Sequence, residues 1–163
     1  MCFKKTKLDG VLINKLTKSI DFRGFVIENF QKKKISNFKL NFVQDTISFS
    51  NKNVLRGMHG DNFTWKLVSL IIGEAYLIVA NNDKKSKMYR KWIALTISKK
   101  NLYQILIPPK YALGYLALSK EILVSYKQTS YYGEHKQFTI KHNDKDFNFK
   151  WPNRNFKLSK RDR

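Results

Sequence analysis

The sequence predicts an all-β domain, built as an antiparallel double-sheet jelly roll with one or two short helices. Segments of four to eight residues rich in Val, Ile, Tyr, Phe and Trp recur along the chain, and Gly, Asn, Asp or Lys-rich turns separate them. Strands repeating at such short intervals are typical of sandwiches and barrels. The lack of helical crossovers favours antiparallel pairing. Residues 1–163 are expected to form a single domain, long enough to bury a core without disulfides.

Eleven candidate strands carry the β-branched and aromatic residues that fit a pleated surface, and a polar turn ends each of them. In chain order they are Val11–Asn14, Gly24–Glu28, Asn41–Ser50, Asn53–Gly57, Trp65–Ile72, Glu74–Asn81, Arg90–Ser98, Tyr103–Ile107, Ala112–Ser119, Ile122–Thr129 and Phe138–Lys141. Gly73-Glu74 predicts a hairpin turn, and residues 82–85 predict a longer loop. The apolar spacing loosens between Glu28 and Ser36, where a short helix is predicted.

The charge balance is strongly basic. Thirty-two Lys and Arg against twelve acidic residues give a formal net charge of +20. The basic residues are mostly lysines spread through turns and outer strand faces, and no zinc-finger spacing, RNP-like strand or long basic helix accompanies them. We therefore expect a solvated lysine-rich surface that attracts anionic small molecules, with no nucleic acid as the main partner.

Cysteine content and hydropathy favour a cytoplasmic protein. Cys2 is the only cysteine, so no internal disulfide can form, which suits a reducing compartment. Lysines interrupt the first twenty residues, and no signal peptide is expected. No window approaches the roughly 20 apolar residues that would span a bilayer.

Elimination leaves acid–base chemistry without a cofactor. His59, His135 and His142 form no His-x-His pair and no carboxylate cluster joins them, so no metal site is expected. Neither a Gly-x-Ser-x-Gly motif nor a Gly-rich phosphate loop occurs. In contrast, His59 precedes Lys66 by one short loop. An imidazole that takes a proton and an ammonium that holds the resulting negative charge suit proton removal next to a carbonyl.

Six stretches, in collinear order, resemble the motifs of one enzyme family. They are Asp21-Phe22-Arg23-Gly24-Phe25 with Glu28; Phe42-Val43-Gln44-Asp45 with Ser48; Leu55-Arg56-Gly57-Met58-His59; Ile107-Pro108-Pro109 through Gly114; Tyr126-Lys127-x-Thr129-x-Tyr131-Tyr132; and Asn143-Asp144, Trp151-Pro152 and Leu158-Ser159-x-x-Asp162. The chain is similar to dTDP-4-dehydrorhamnose 3,5-epimerases and their relatives acting on other nucleotide-linked 4-keto sugars. The resemblance implies a cupin (double-stranded β-helix) fold and a homodimer that exchanges N-terminal strands.

The same resemblance implies four catalytic positions. His59 matches the family's base, and Asp162 matches the aspartate that orients this base and makes it more basic. Lys66 matches the lysine that stabilises the enolate oxygen. Tyr126 matches the general acid that delivers a proton to the opposite face of the sugar ring.

Five further positions match residues that bind the substrate in the family. Arg23 and Arg56 match arginines that hold the diphosphate, and a guanidinium fork suits phosphate oxygens. Glu28, Gln44 and Tyr132 match residues that contact the base, ribose or phosphate.

The chain also departs from the family pattern. Leu113 stands where the family has a second active-site histidine, and leucine can neither bond a sugar hydroxyl nor relay a proton. The loop after His59 is short, because residues 60–65 alone precede the lysine. Both features are similar to a subgroup acting on GDP-linked 4-keto heptoses and other 4-keto deoxyhexoses of capsule or surface-glycan pathways. Thr46 and His142 replace a family Asn and Trp.

The function expected from the sequence is therefore epimerisation at C3, C5 or both of a nucleotide-diphospho-4-keto sugar, a deoxyhexose or heptose, for surface polysaccharide synthesis. Two alternatives stay open. A 3,4-ketoisomerase on the same scaffold would move the carbonyl instead of inverting a centre. A non-catalytic module that binds a sugar nucleotide would exchange no proton with solvent.

Overall fold

A computed structural model describes residues 3–163, so Cys2 lies outside the described residues. The strands within this range are β1 (Lys4–Lys5), β2 (Leu12–Lys15), β3 (Lys18–Asp21), β4 (Gly24–Ile27), β5 (Gln44–Asn51), β6 (Leu55–Gly60), β7 (Lys66–Ile72), β8 (Glu74–Asn81), β9 (Trp92–Ser98), β10 (Tyr103–Ile107), β11 (Tyr111–Ala117), β12 (Glu121–Gln128) and β13 (Phe138–Thr139). Two 3₁₀ helices, Lys32–Phe38 and Lys160–Asp162, complete the set. Neither of them, nor any other helix in residues 3–163, could cross a membrane.

Two antiparallel sheets face each other. Sheet I has the strand order β1-β2-β10-β7-β12-β5, and sheet II has the order β13-β6-β11-β8-β9. Their inner faces share a core of buried side chains that includes Val68 and Leu70 of β7, Leu77 of β8, Ile105 of β10 and Val124 of β12. The period-2 alternation of these strands directs every second residue into that core. The predicted all-β jelly roll is confirmed.

The outer face of sheet II is also covered. Met58 and Ile78 on that face pack with Phe147, Phe149 and Trp151 of the C-terminal segment. This second layer of apolar side chains explains why β8 is buried on both faces and has a nearly continuous apolar sequence. The C-terminal segment is thereby held against the sheet that carries His59.

One local prediction is wrong. Gly73-Glu74 is not a hairpin turn, because the strands it joins, β7 and β8, lie in different sheets. Gly73, at φ +86°, makes a sharp corner between the sheets, where an added Cβ would lie 2.2 Å from the Glu121 carbonyl oxygen. The short helix predicted between Glu28 and Ser36 is present as the 3₁₀ helix Lys32–Phe38, which lies somewhat further toward the C-terminus.

Strands β3 and β4 form a hairpin that is separate from the two large sheets. Strand β3 was not predicted, and it pairs with β4 alone. Ile20, Phe22 and Val26 of this hairpin are 71%, 96% and 70% exposed, and Ile47 and Phe49 of the edge strand β5 are also exposed. Contiguous patches of large exposed apolar side chains are typical of surfaces that bind another molecule.

Candidate active site

An open cleft of about 280 Å³ lies between the two sheets. This volume lies just below the usual range of ligand sites, about 300–1,000 Å³. Its lining consists of Ser48, Arg56, His59, Lys66, Leu113, Tyr115, Tyr126, Gln128, Tyr132, Gln137, Ser159, Arg161 and Asp162. In the described part of the chain, no three His, Cys, Asp or Glu side chains are grouped so that they could hold a metal ion.

A bulge in β6 turns both Arg56 and His59 into the cleft. Regular alternation would place residues three apart on opposite faces of a sheet. Here the neighbouring strand advances two residues, from Leu113 to Tyr115, while β6 advances three, from His59 back to Arg56. Gly57 makes this possible, because its φ is +113° and an added Cβ would lie 2.5 Å from the Leu113 carbonyl oxygen. The glycine of this motif therefore decides the direction of its histidine.

His59 is paired with a buried carboxylate. Its Nε2 lies 2.7 Å from Oδ1 of Asp162, whose side chain is 4% exposed, whereas that of His59 is 24% exposed. Ser159 Oγ donates a hydrogen bond of 2.8 Å to the other carboxylate oxygen. The aspartate sits in the 3₁₀ helix Lys160–Asp162, a turn that brings the C-terminus against β6. One ring nitrogen is thus occupied by the carboxylate, and the other is left to accept a proton.

The pKa of His59 is lowered from its ordinary value. Burial is the largest cause, and the positive charge of Arg161 acts in the same direction. Asp162 raises the pKa of the ring, as the sequence predicted, but does not overcome burial and the positive charges of Arg161 and Lys66. The imidazole therefore stays neutral, and able to act as a base, at pH values lower than an exposed histidine would allow.

Lys66 lies at the start of β7, in the same cleft, and is 9% exposed. Burial lowers the pKa of its ammonium group, and the charge of Arg161 adds to this lowering, whereas Asp61 raises it. Asp61 is held nearby, since its Oδ1 accepts the backbone N–H groups of Phe63 and Thr64. A cation with few water neighbours interacts strongly with any negative charge that develops in the cleft.

Tyr126 reaches the cleft from the opposite wall. It belongs to β12 of sheet I, whereas His59 belongs to β6 of sheet II. Burial raises the pKa of Tyr126, and the positive charge of Arg56 opposes this effect. The phenol is therefore protonated near neutral pH and can donate its proton. The cleft thus has a proton acceptor on one wall and a proton donor on the other.

The predicted substrate-binding residues fall into two groups. Arg56 and Tyr132 line the cleft, and Gln44 adjoins them because its Oε1 accepts the Tyr132 backbone N–H at 2.7 Å. Arg23 and Glu28 do not line it. They flank the exposed β4 strand and form ion pairs with Asp21 and Lys34.

Several cleft residues were not predicted as site residues. Arg161 is the most notable, because it adds a cation beside Lys66 and donates to Gln137 Oε1 at 2.7 Å. Its proximity to Asp162 in the sequence was a usable signal. Gln128 offered a weaker signal, as it lies two residues beyond Tyr126 and so on the same face of β12. Ser48 stands in one of the stretches that resemble the family motifs, whereas Tyr115 and Gln137 gave no such indication.

A jelly roll whose cleft sets a His–Asp pair on one wall across from a lysine and a tyrosine on the other defines an acid–base isomerase. The match to known proteins identifies which one: residues 5–163 fit the model of the dTDP-4-dehydrorhamnose 3,5-epimerase family. The chain belongs to this family and is an isomerase of the epimerase type.

Individual relatives agree along most of the chain. The dTDP-4-dehydrorhamnose 3,5-epimerase of Salmonella typhimurium is 34% identical over 154 residues, which cover 91% of this chain and 84% of the relative. The Shigella flexneri enzyme of the same name is 35% identical over 164 residues, covering 97% and 91%. Among solved structures, dTDP-6-deoxy-D-glucose-3,5-epimerase from Legionella pneumophila, in complex with dTDP-4-keto-L-rhamnose, is similar with a TM-score of 0.93 at 32% identity, covering 99% of this chain and 89% of that one.

Proposed function

We propose that this protein epimerises a nucleotide-diphospho-4-keto sugar at C3, C5 or both, without a cofactor. The observation that supports this most is the placement of His59 and Tyr126 on facing walls of one cleft. A single group on one face would return the proton to the position it left. Inversion needs an acceptor and a donor on opposite faces of the ring.

The proposed reaction breaks one C–H bond and forms another on the same carbon. The 4-keto group acidifies the neighbouring hydrogens, and the ring nitrogen of His59 that does not face Asp162 takes one of them. The electron pair moves onto the carbonyl oxygen, where the Lys66 ammonium stabilises the enolate. Tyr126 then gives its phenolic proton to the other face of the same carbon, and the enolate returns to the ketone.

The cations around the cleft suit a diphosphate. Arg56, Lys66 and Arg161 line it, and Asp162 is the one carboxylate among its lining residues. Arg56 is positioned by β5, since its Nε donates to Ser50 Oγ at 2.9 Å and its Nη2 to the Phe49 carbonyl. A guanidinium held in this way can still offer its remaining N–H groups to phosphate oxygens.

The proposal includes a homodimer that exchanges the β3–β4 hairpin. The exposed apolar residues of the hairpin, together with Ile47 and Phe49 on β5, would be covered if the hairpin of one protomer docked on its partner's sheet I. Exchange would also bring Arg23 and Glu28 to a cleft that their own protomer does not offer them. Phe22→Lys should then yield a monomer in size-exclusion chromatography. Val43→Lys, at a residue that is 37% exposed and directly precedes β5, tests whether the contact extends to that end of the strand.

The nucleotide and sugar are part of the proposal too. The named relatives favour a dTDP-linked 4-keto-6-deoxyhexose, whereas the short loop and Leu113 favour the subgroup that takes GDP-linked 4-keto heptoses or other deoxyhexoses for surface polysaccharides. A cytoplasmic location fits either choice.

Solvent-deuterium exchange tests the function directly. The protein is incubated in heavy water with dTDP-4-keto-6-deoxyglucose and with a GDP-linked 4-keto sugar, and the label is located by NMR. We expect deuterium at a carbon next to the ketone together with an inverted centre. His59→Ala should abolish the exchange, while His135→Ala, which does not line the cleft, should retain it. Full exchange in His59→Ala would refute the assignment of the base, and a displaced carbonyl in the product would indicate a ketoisomerase.

A further inference from the structure

A tyrosine of β11 bridges the two sheets inside the cleft. Tyr115 is 6% exposed, and its hydroxyl donates a hydrogen bond of 2.9 Å to Oγ of Ser48 on β5. The tyrosine belongs to sheet II and the serine to the edge strand of sheet I, so this bond connects the two walls of the cleft. A buried phenol requires a polar partner, and Ser48 supplies it.

The bond determines where the serine can direct its own proton. A hydroxyl has one donor and two acceptor lone pairs, and Tyr115 occupies one lone pair of Ser48. Within residues 3–163 the Ser48 side chain makes no second hydrogen bond that would use its proton. Ser48 is less buried than Tyr115 and lines the cleft. Its O–H donor is therefore available to a ligand there.

At the residue that faces His59, β11 offers no hydrogen-bonding side chain. Leu113 lies two residues before Tyr115, lines the cleft and pairs in register with His59. The β11 side chain beside the base is therefore apolar, whereas the Ser48 hydroxyl lies on sheet I, the facing wall of the cleft. A sugar oriented with its acidic hydrogen toward His59 would meet this hydroxyl with a different ring substituent.

We infer that Tyr115 is a positioning residue that fixes the Ser48 hydroxyl to donate a hydrogen bond to an oxygen substituent of the substrate's sugar ring. The inference deepens the proposed function and rests on it, since it assumes that a nucleotide sugar occupies the cleft. It predicts a contribution to sugar recognition that is absent from recognition of the nucleotide alone.

Isothermal titration separates these two contributions without requiring turnover. The probes are dTDP-glucose against dTDP, and GDP-mannose against GDP. Tyr115→Phe should weaken binding of the sugar nucleotide about three- to tenfold, the usual size of one neutral hydrogen bond, and leave the nucleoside diphosphate unchanged. Ser48→Ala should have the same effect, and the double variant should be no weaker than Ser48→Ala, because the tyrosine acts only through the serine.

Tyr76→Phe is the matched control. It also removes a tyrosine hydroxyl that bonds to protein, at the Lys150 carbonyl, but on the outer face of sheet II. This variant should bind both probes as the wild type does. If Tyr115→Phe does not fold, Ser48→Ala against Ser48→Thr, which keeps the hydroxyl, provides the test.

Equal weakening of sugar nucleotide and nucleoside diphosphate, no weakening, or additive losses in the double variant would overturn the inference. The two proposals fail in different ways. Loss of deuterium exchange in the wild type would refute epimerisation while the binding difference could persist. Failure to bind either pair of probes would overturn both the function and the recognition role.

Discussion

Asp162→Asn removes the charge behind the base and changes few atoms. In the proposed reaction His59 becomes an imidazolium, whose charge forms 2.7 Å from the Asp162 carboxylate. At an effective dielectric constant of about 20, two unit charges at that separation attract by about 6 kcal/mol, an upper bound for this partly exposed histidine. Breaking a buried pair costs about 3–5 kcal/mol. We therefore expect kcat to fall by about 10²–10⁴.

The pH profile makes this prediction specific. The pKa of His59 is lowered in the wild type, so the acid limb of kcat/KM should lie below pH 6.5, the ordinary value for histidine. Asp162 raises the pKa of the ring, and its removal should lower it further. The acid limb of Asp162→Asn should therefore move to still lower pH while the plateau falls.

The assay measures kcat/KM for deuterium exchange from pH 4.5 to 8 in the wild type, in Asp162→Asn and in a control variant, Asp144→Asn. Asp144→Asn is the control, because its carboxylate accepts two backbone N–H groups outside the cleft. An unchanged plateau in Asp162→Asn, or an acid limb that moves to higher pH, would refute the electrostatic role of the pair.

Three other variants probe the proposed proton donor, the bulge in β6 and the pH dependence of stability. Tyr126→Phe should still exchange deuterium but invert no centre, and an unchanged yield of epimer would exclude it as the proton donor. Gly57→Ala should destabilise the protein by about 2–4 kcal/mol in urea unfolding, because it combines a positive φ with a clash against β11; a loss under 1 kcal/mol would contradict the bulge argument. His59→Gln should reduce the pH dependence of stability: a lowered pKa in the folded state means that His59 contributes stability above pH 6.5 that is lost as the pH falls through the folded-state pKa. Thermal unfolding curves at pH 5 and 7.5 that show the same difference in both proteins would argue against this.

The sequence by itself determined the fold class. Alternating apolar residues mark the inner faces of β7, β10 and β12, and that period is a local property of the chain that no distant contact needs to supply. It also indicated His59 as the candidate base, because the Leu55–His59 motif resembles the motif of the epimerase family. Strand ends were less accurate, and β6 extends three residues past its predicted end at Gly57.

The tertiary structure alone decided which residues share the cleft. Sequence pattern shows that Gly73 turns the chain, but the choice between a hairpin and a corner depends on which strand pairs with β7, and that is a long-range competition. The hydrogen bond between Tyr115 and Ser48 joins residues 67 positions apart, and Arg161 acts on His59 from the far end of the chain. Periodicity assigns a side chain to a face of its own strand. Which face it meets across the core is determined by the packing of the two sheets.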